Sequence, residues 1–388
     1  MEDAVYIVSG CRTPIGNYKG QFSSINIFDL SKHALKGAIL RSGIAPADIQ
    51  EVYIGNVLTA GKGQNPARKA ALNVGIPIEV PATTLNMLCG SGLKSVTLGY
   101  TSIKAGNSSV VLCAGMESMT QAEHSIYIRG GVKLGDCTLK DTMVLDGLTD
   151  SINQIHMGIT AENVAKKYKI SRAEQDAFAL NSQIKAASAM EQGLFDDEIV
   201  PVQVGKDLIK LDEYPKPSTT IERLTKLNPV FLSDGTVTAG NASGINDGAA
   251  AVILANGFEV KSKNLKPLAR IVGFAEMGND PLLMGVAPIP TIKLLLKKVN
   301  WTKDDVELYE INEAFASQSV AIIKELDLDP KKVNVNGGAI ALGHPIGASG
   351  TRVLVTLLYN LKHLGLKRGV AALCIGGGMG IAMAVEAV

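Results

Sequence analysis

Cys89 stands in "LNMLCGSGLKSV" (residues 85 to 96), between a strand-like run and a helical one, with Gly90, Ser91 and Gly92 directly after it. At a helix start a thiol meets unpaired backbone N–H groups and the positive end of the helix dipole. Both favour thiolate and predict a pKa below the roughly 8.5 of a free cysteine. An unpaired cysteine is also an ordinary core filler, and position alone leaves the two readings level. His344 moves the balance. It lies in "GGAIALGHPIGASG" (337 to 350), a glycine-dense turn between a strand and a helix, from which an imidazole can reach into a cavity. A cysteine with a histidine is a known solution for acyl transfer: imidazole removes the thiol proton and the thiolate attacks a carbonyl. A phosphate-binding loop is the competing reading of that turn, but both "GxxxxGK[ST]" and a "GxGxxG" after a strand are missing.

Cys374 closes an apolar run just ahead of three glycines. Alone it reads as core. At a corner matching that of Cys89, a second thiol would act as general acid and base, and N–H groups of the glycine turn would bind an oxyanion. Asn312, in "INEAFASQS", reads first as a helix N-cap. The functional alternative is an amide that orients water or a carbonyl.

Short apolar runs alternate with helical patterns. "VYIVSG", "VYIGNVL", "SSVVLCAG", "LARIVGF", "VELYEIN", "KVNVN" and "VAALCIGGG" predict strands. Leu93, Val96, Tyr100 and Ile103 form one helix face that stops at Gly106. Asn65-Pro66 opens a second helix, and the capping box Ser171 to Glu174 opens a third that ends near Gly193. The alternation argues for an α/β fold. "VVLCAGMESM" (110 to 119) aligns with "AALCIGGGMG" (371 to 380), placing Leu112-Cys113 over Leu373-Cys374, and each follows a strand, a glycine turn and a helix. A duplicated half is the reading this supports. Residues 1–118 with 246–267 form the first half and 268–388 the second; 119–245, more polar and loop-like, is an insertion expected to fold over the site.

The chain of 388 residues carries 38 basic and 37 acidic side chains, so no basic face is implied and nucleic acid is not an expected partner. Five cysteines without CxxC or Cys/His clustering fit neither a disulfide framework nor a structural zinc, and no metal is expected. "MEDAVYIVSG" does not read as a signal peptide, and the uncharged run 369–385 is broken by "GGGMG", as buried strands with a turn would be. A cytoplasmic protein with no membrane contact is the expectation.

Several long motifs carry a resemblance over essentially the whole chain: "RTPIG" (12 to 16), "GQNPAR" (63 to 68), "NMLCGSGLKS", "DGLTDSINQIHMGITAE" (146 to 162), "GTVTAGNASGINDGAA" (235 to 250), "NEAFA" (312 to 316), "NVNGGAIALGHPIGASG" (334 to 350) and "CIGGGMG" (374 to 380). In this order they resemble the thiolase family, and within it the biosynthetic acetyl-CoA acetyltransferase branch. The resemblance implies a thiolase fold of two similar α/β halves in a layered αβαβα arrangement. By the same resemblance Cys89 is the acylated nucleophile, His344 its base and Cys374 the second acid/base. Asn312, through a water, joins His344 in one oxyanion site, and the N–H groups of Cys89 and Gly376 form the other. The implied reaction joins two acetyl-CoA into acetoacetyl-CoA and CoA, reversibly. Coenzyme A thioesters are then substrates, with no tightly bound cofactor. Their implied contacts are Leu148, His156, Met157, Lys216, Ala239 and Ser243, with Ala314 and Phe315 around the acyl end. Lys216 stands where close relatives often carry arginine; lysine keeps the charge but loses planar stacking on an adenine. A homotetramer built as a dimer of dimers is implied, with "HSIYIRGGVKLGDC" (124 to 137) resembling the loop that joins the dimers. A degradative 3-ketoacyl-CoA thiolase carries the same catalytic set and is the nearest rival; a decarboxylating condensing enzyme fits Cys374 less well.

Overall fold

The computed structural model describes residues 4–388. Among them the principal sheet has ten strands: β1 (Val5–Arg12), β2 (Gly16–Asn17), β3 (Glu51–Gly55), β4 (Ala82–Leu85), β5 (Val110–Ser118), β6 (Asn246–Asn256), β7 (Ala269–Gly278), β8 (Leu308–Ile311), β9 (Arg368–Ile375) and β10 (Met379–Ala387). The helices that matter for the site are α1 (Ile27–Ser42), α2 (Pro66–Asn73), α3 (Ser91–Lys104), α4 (Met157–Lys167), α5 (Arg172–Glu191), α6 (Pro288–Val299), α7 (Ala316–Leu326) and α8 (Ile346–Leu364).

The strand order β8-β9-β10-β7-β1-β6-β5-β3-β4 contains one pattern twice. Outward from the middle, β1, β6, β5 and β3 pair antiparallel, antiparallel, parallel, and β7, β10, β9 and β8 repeat that sequence of polarities. Within the sheet, the two half-sheets pair where Tyr6 and Ile7 of β1 meet Arg270 and Ala269 of β7. Side chains alternate across each strand, so each half-sheet feeds two cores. Leu112 and Ala114 of β5 face α1 and α2, whereas Val111 and Cys113 face α3 and α8. In the second half Leu373 and Ile375 face α3 and α8, and Val370 and Ala372 face α6 and α7. Five layers result: outer helices, half-sheet, the α3/α8 pair, half-sheet, outer helices.

The alternation corrects the residue alignment of the internal repeat. Cys113 points at the central helices, but Cys374 points the other way, into a cluster with Met157, Met284 and Phe315. An offset of one residue reverses every side chain on a strand, so the Leu-Cys pairs share a type of strand without sharing a face. A second correction concerns "KVNVN", which forms no strand beyond one bridge, Tyr309 to Val333. Asn334 takes φ +45°, and its side-chain amide both accepts from Ile311 N–H and donates to Ile311 C=O at 2.8 Å, standing in for the missing ladder.

The local signals at helix ends hold. Asn65 caps α2 ahead of Pro66, Ser171 and Glu174 form the reciprocal box of α5, and Gly106 follows α3 at φ +78°. Residues 119–245 add no strand to the principal sheet among the described residues. Their anchor is ionic: Arg12, fully buried on β1, bonds Glu198 at 2.5 Å and Asp212 at 2.7 Å. No described helix is long and apolar enough to cross a membrane.

Candidate active site

Cys89 sits just before α3, in a turn built by its neighbours. Leu88 takes φ +48°, a conformation costly for a branched side chain. Ser91 holds it there: its hydroxyl accepts Met87 N–H at 2.8 Å and donates to Leu88 C=O at 2.7 Å. Gly90 leaves room for Ile375 at the end of β9, whose side chain would have to shift for a Cβ placed 2.4 Å from its Cδ1. The turn of one half therefore rests on the strand end of the other. The backbone N–H groups of Cys89 and Gly376 both lie near enough to the Cys89 sulfur to favour its thiolate. These are the two donors expected for an oxyanion site.

The thiol is not poised as thiolate. Burial pushes Cys89 up to about 11; the two N–H bonds oppose this and the charge of Glu117 adds to it. The helix-start expectation fails because removal from water outweighs the dipole, and α3 begins only at Ser91, after its cap Gly90.

His344 is almost fully buried in the turn before α8. Its N–H donates to Asn246 Oδ1 at 2.9 Å. Its Nδ1 lies 2.5 Å from Ser349 Oγ, whose own hydrogen goes to Pro345 C=O at 2.9 Å. Nδ1 therefore carries the ring proton and Nε2 offers its lone pair, the tautomer a base needs. Burial and the positive Arg352 bring the imidazole down to about 3. Thiol and imidazole are thus both uncharged at neutral pH.

Cys374 is completely buried and couples electrostatically to Cys89; burial raises its pKa well above the ordinary thiol value, and Cys89 adds to this. Its Sγ–H donates to Gln318 Oε1 at 2.9 Å, while Gln318 Nε2 donates to the Asn312 carbonyl at 3.1 Å. Asn312 is no helix cap, since α7 starts at Ala316 behind Phe315. Its Nδ2 lies 3.4 Å from His344 Nε2, and its Oδ1 is buried without a partner in the protein. A buried orphan carbonyl beside an imidazole suits a polar molecule entering the site. Gln318, Ser349 and Asn246 were not singled out from sequence. No local signal marks Gln318, since Ser317 and Ser319 are buried beside it on the same helix.

A cavity of about 270 Å³ ends on His344 and Ile346. Leu148, His156, Met157, Ala239, Ser243 and Phe315 line it, as expected, and Phe231 and Met119 join them. His156 accepts Gly158 N–H on Nδ1 at 3.0 Å, caps α4, and stacks on Phe231 at 4.8 Å. Ala314 lines no wall of this cavity; its carbonyl accepts Ser243 N–H at 2.9 Å. Lys216 belongs to a neighbouring cavity of about 310 Å³ with Tyr214 and Arg223, which meets the first at Ala239. Its ammonium lies 5.1 Å from the Tyr214 ring.

Fold and site together define an acyl-transfer enzyme, with an imidazole on the wall of an apolar cavity and two electrostatically coupled thiols. The chain belongs to the thiolase family: residues 5–257 match the thiolase N-terminal domain and residues 265–387 the C-terminal domain. It is 52% identical to the cytosolic acetyl-CoA acetyltransferase of Rattus norvegicus, over 99% of this chain and 98% of that one. It is 51% identical to the acetyl-CoA acetyltransferase of Thiocystis violacea over the full length of both. Among solved structures, the acetyl-CoA acetyltransferase of Bacillus anthracis superposes with a TM-score of 0.97 at 42% identity over 99% of each chain. Human mitochondrial 3-ketoacyl-CoA thiolase in complex with CoA also gives 0.97, at 47% identity over 99% of this chain and 98% of that one.

Proposed function

We propose that the protein is an acetyl-CoA C-acetyltransferase that condenses two acetyl-CoA to acetoacetyl-CoA and CoA, reversibly, through an acetyl group carried on Cys89. The observation that carries the reading is a chain of contacts: Cys89 couples to Cys374 and the Gly376 N–H, Cys374 reaches Asn312 through Gln318, and Asn312 meets His344 on the cavity wall.

Each group has a step. His344 Nε2 takes the Cys89 proton as sulfur attacks the first thioester carbonyl. The CoA thiolate expelled takes the proton of Cys374. Cys374 thiolate then removes an α-proton from the second acetyl-CoA, and the enolate oxygen lies against protonated His344 and the Asn312 side chain. Carbon attacks the acetyl-Cys89 carbonyl, whose oxyanion is held by the N–H groups of Cys89 and Gly376. Collapse releases the Cys89 sulfur, which recovers its proton from His344. Two oxyanions on opposite sides of the new C–C bond call for two donor sets, and two are available. Coenzyme A thioesters enter and leave as substrates, and no tightly bound cofactor has a step to perform. Residues 119–245 supply Leu148, His156, Met157, Phe231, Ala239 and Ser243 to the channel, consistent with an insertion that covers the coenzyme.

Brief exposure of the intact protein to acetyl-CoA, followed by peptide mapping, is expected to place a single acetyl group on the Cys89 peptide; acetyl elsewhere, or none, overturns the reading. The 47% identity to a 3-ketoacyl-CoA thiolase keeps one rival specific. Cleavage of acetoacetyl-CoA is expected to exceed that of longer 3-ketoacyl-CoA, and much faster cleavage of the longer substrate would favour the rival. The rodent relatives named cytosolic support a cytosolic enzyme. Tyr127 and Leu134 expose 85% and 97% of their surface on the 124–137 loop, as residues covered by another copy in a tetramer would. Light scattering at a dimer mass would refute the tetramer.

A further inference from the structure

Gln318 is fully buried, touches Cys374 and has no place in the steps above. Its amide orientation is determined by its other end, because Nε2 must donate to the Asn312 carbonyl, leaving Oε1 toward the thiol. The position of its stem is set across the chain by Gly285, where a Cβ would lie 2.7 Å from Gln318 Cβ. Gly285 opens "GVAPIPT" (285 to 291), a stretch to which the reaction itself assigns nothing.

We propose that Gln318 is a positioning residue for Cys374: its carbonyl, anchored through Asn312 and given room by Gly285, holds the thiol proton on one fixed acceptor until departing CoA takes it. The inference rests on the reading of Cys374 as acid and base. A bond accepting the proton of the neutral thiol favours that form over thiolate. The titratable groups around Cys374 are Cys89, which couples to it directly, and His344, beyond Asn312. Met157, Met284, Ala314 and Phe315 are apolar. The neutral Gln318 amide is therefore the group that tunes this thiol without titrating.

The test is deuterium exchange into the α-position of acetyl-CoA as a function of pH, with full-length protein carrying Cys89→Ser so that no acyl transfer competes. Exchange rises with pH as Cys374 ionises. Gln318→Met, which removes the acceptor, is expected to move the midpoint down by about one pH unit, raising exchange roughly tenfold below it. Gln318→Glu is expected to move it up by at least as much, because a negative charge opposes thiolate. Opposite shifts are a result that loosened packing alone does not give. Gly285→Ala, which displaces the amide sterically, should follow Gln318→Met, and it serves where Gln318→Glu does not fold. Unchanged midpoints, or shifts of one sign in both Gln318 variants, overturn the inference. Adding Cys374→Ser separates the two levels: if exchange survives there, the acid/base reading itself has failed.

Discussion

Cys113 and Cys374 each follow a leucine on a strand flanked by one parallel and one antiparallel neighbour, and both are fully buried, yet only one belongs to the site. The difference begins with direction. Cys113 points at the central helices, with its sulfur 2.5 Å from where a Cβ on Gly99 of α3 would lie. Cys374 points at α4 and α7, where Met157, Phe315 and Gln318 meet it. The strand ends differ as well. β5 continues past Cys113 to Ser118, and its parallel neighbour keeps pairing as far as Gly115. β9 stops at Ile375, and its neighbour stops opposite Ala372. The sheet thus gives out beside Cys374, where Asn312 and the Gly376 N–H take over. On the proposed reading the shortened parallel pairing sets Cys374 apart, since burial is common to both.

The largest way to break this contrast is at the nucleophile facing Cys374. Cys89→Ser is expected to lower turnover by about 10⁴-fold or more, the scale seen when a covalent nucleophile is removed. A rapid-quench burst of acetyl-enzyme should vanish, and a normal burst would reject the assignment. The next effect separates the paired cysteines. Cys374→Ser is expected to keep acetylation of Cys89 while α-proton exchange falls about 10²–10⁴-fold, the loss of a general base. Cys113→Ser, at the other strand, should leave exchange within a few-fold of wild type. Equal losses in both would show that burial, not position, decides.

Much of this was legible from the chain. Cys89 and His344 announce themselves by local chemistry: small residues around a polar one in a turn that needs close backbone approach. The alternation of strand and helix, the caps of α2 and α5 and the repeated half are equally short-range signals. Which face Cys374 takes was not legible, because one residue of register reverses it. Nor was the thiol state of Cys89, which depends on burial against the cluster of Val57, Met119 and Ile346 rather than on the helix behind it. Ser349, Asn246 and Gln318 act on groups brought to them by the fold, and their residue types alone mark nothing. Asn312 looked like a cap because a helix follows; the strand before it, ending at Ile311, is what aims it at His344.

A smaller effect sharpens the comparison at the far end of β5. Where β9 ends in glycines, β5 carries Glu117, which accepts N–H bonds from Val57, Leu58 and Gly347 and so ties the first half to the start of α8. Burial raises its pKa from 4.5 to about 7 against those bonds. A folded-state pKa raised in this way contributes stability that is complete below pH 4.5 and is lost as pH rises through 7. His344 has the opposite sign: held near 3 against 6.5, it favours the fold above pH 6.5 and loses that contribution as pH falls. The Glu117 contribution is therefore read as wild type minus Glu117→Gln in urea midpoints between pH 4 and 8. The difference should decline between about pH 4.5 and 7 and level off above, and a flat difference would mean that folding does not raise the Glu117 pKa.

The smallest effect concerns Cys113 alone and should leave chemistry untouched. Cys113→Ala removes a buried sulfur and is expected to cost about 1 kcal/mol of unfolding free energy through the small cavity left over α3. Gly99→Ala alone places a methyl against that sulfur, with Leu254 and Val111 3.0 and 3.1 Å away, and overpacking of this kind costs about 1–3 kcal/mol. It also gains about 1 kcal/mol of helix propensity. Together the new methyl occupies the space the sulfur vacates, so the double variant should be more stable than the sum of the singles by about 1 kcal/mol or more, a coupling that denaturant titration resolves. Turnover should stay within a factor of two in all three, since none touches β9. A loss of α-proton exchange in the double variant would show that the central helix pair transmits strain to Cys374, and the two cysteines would then not be independent.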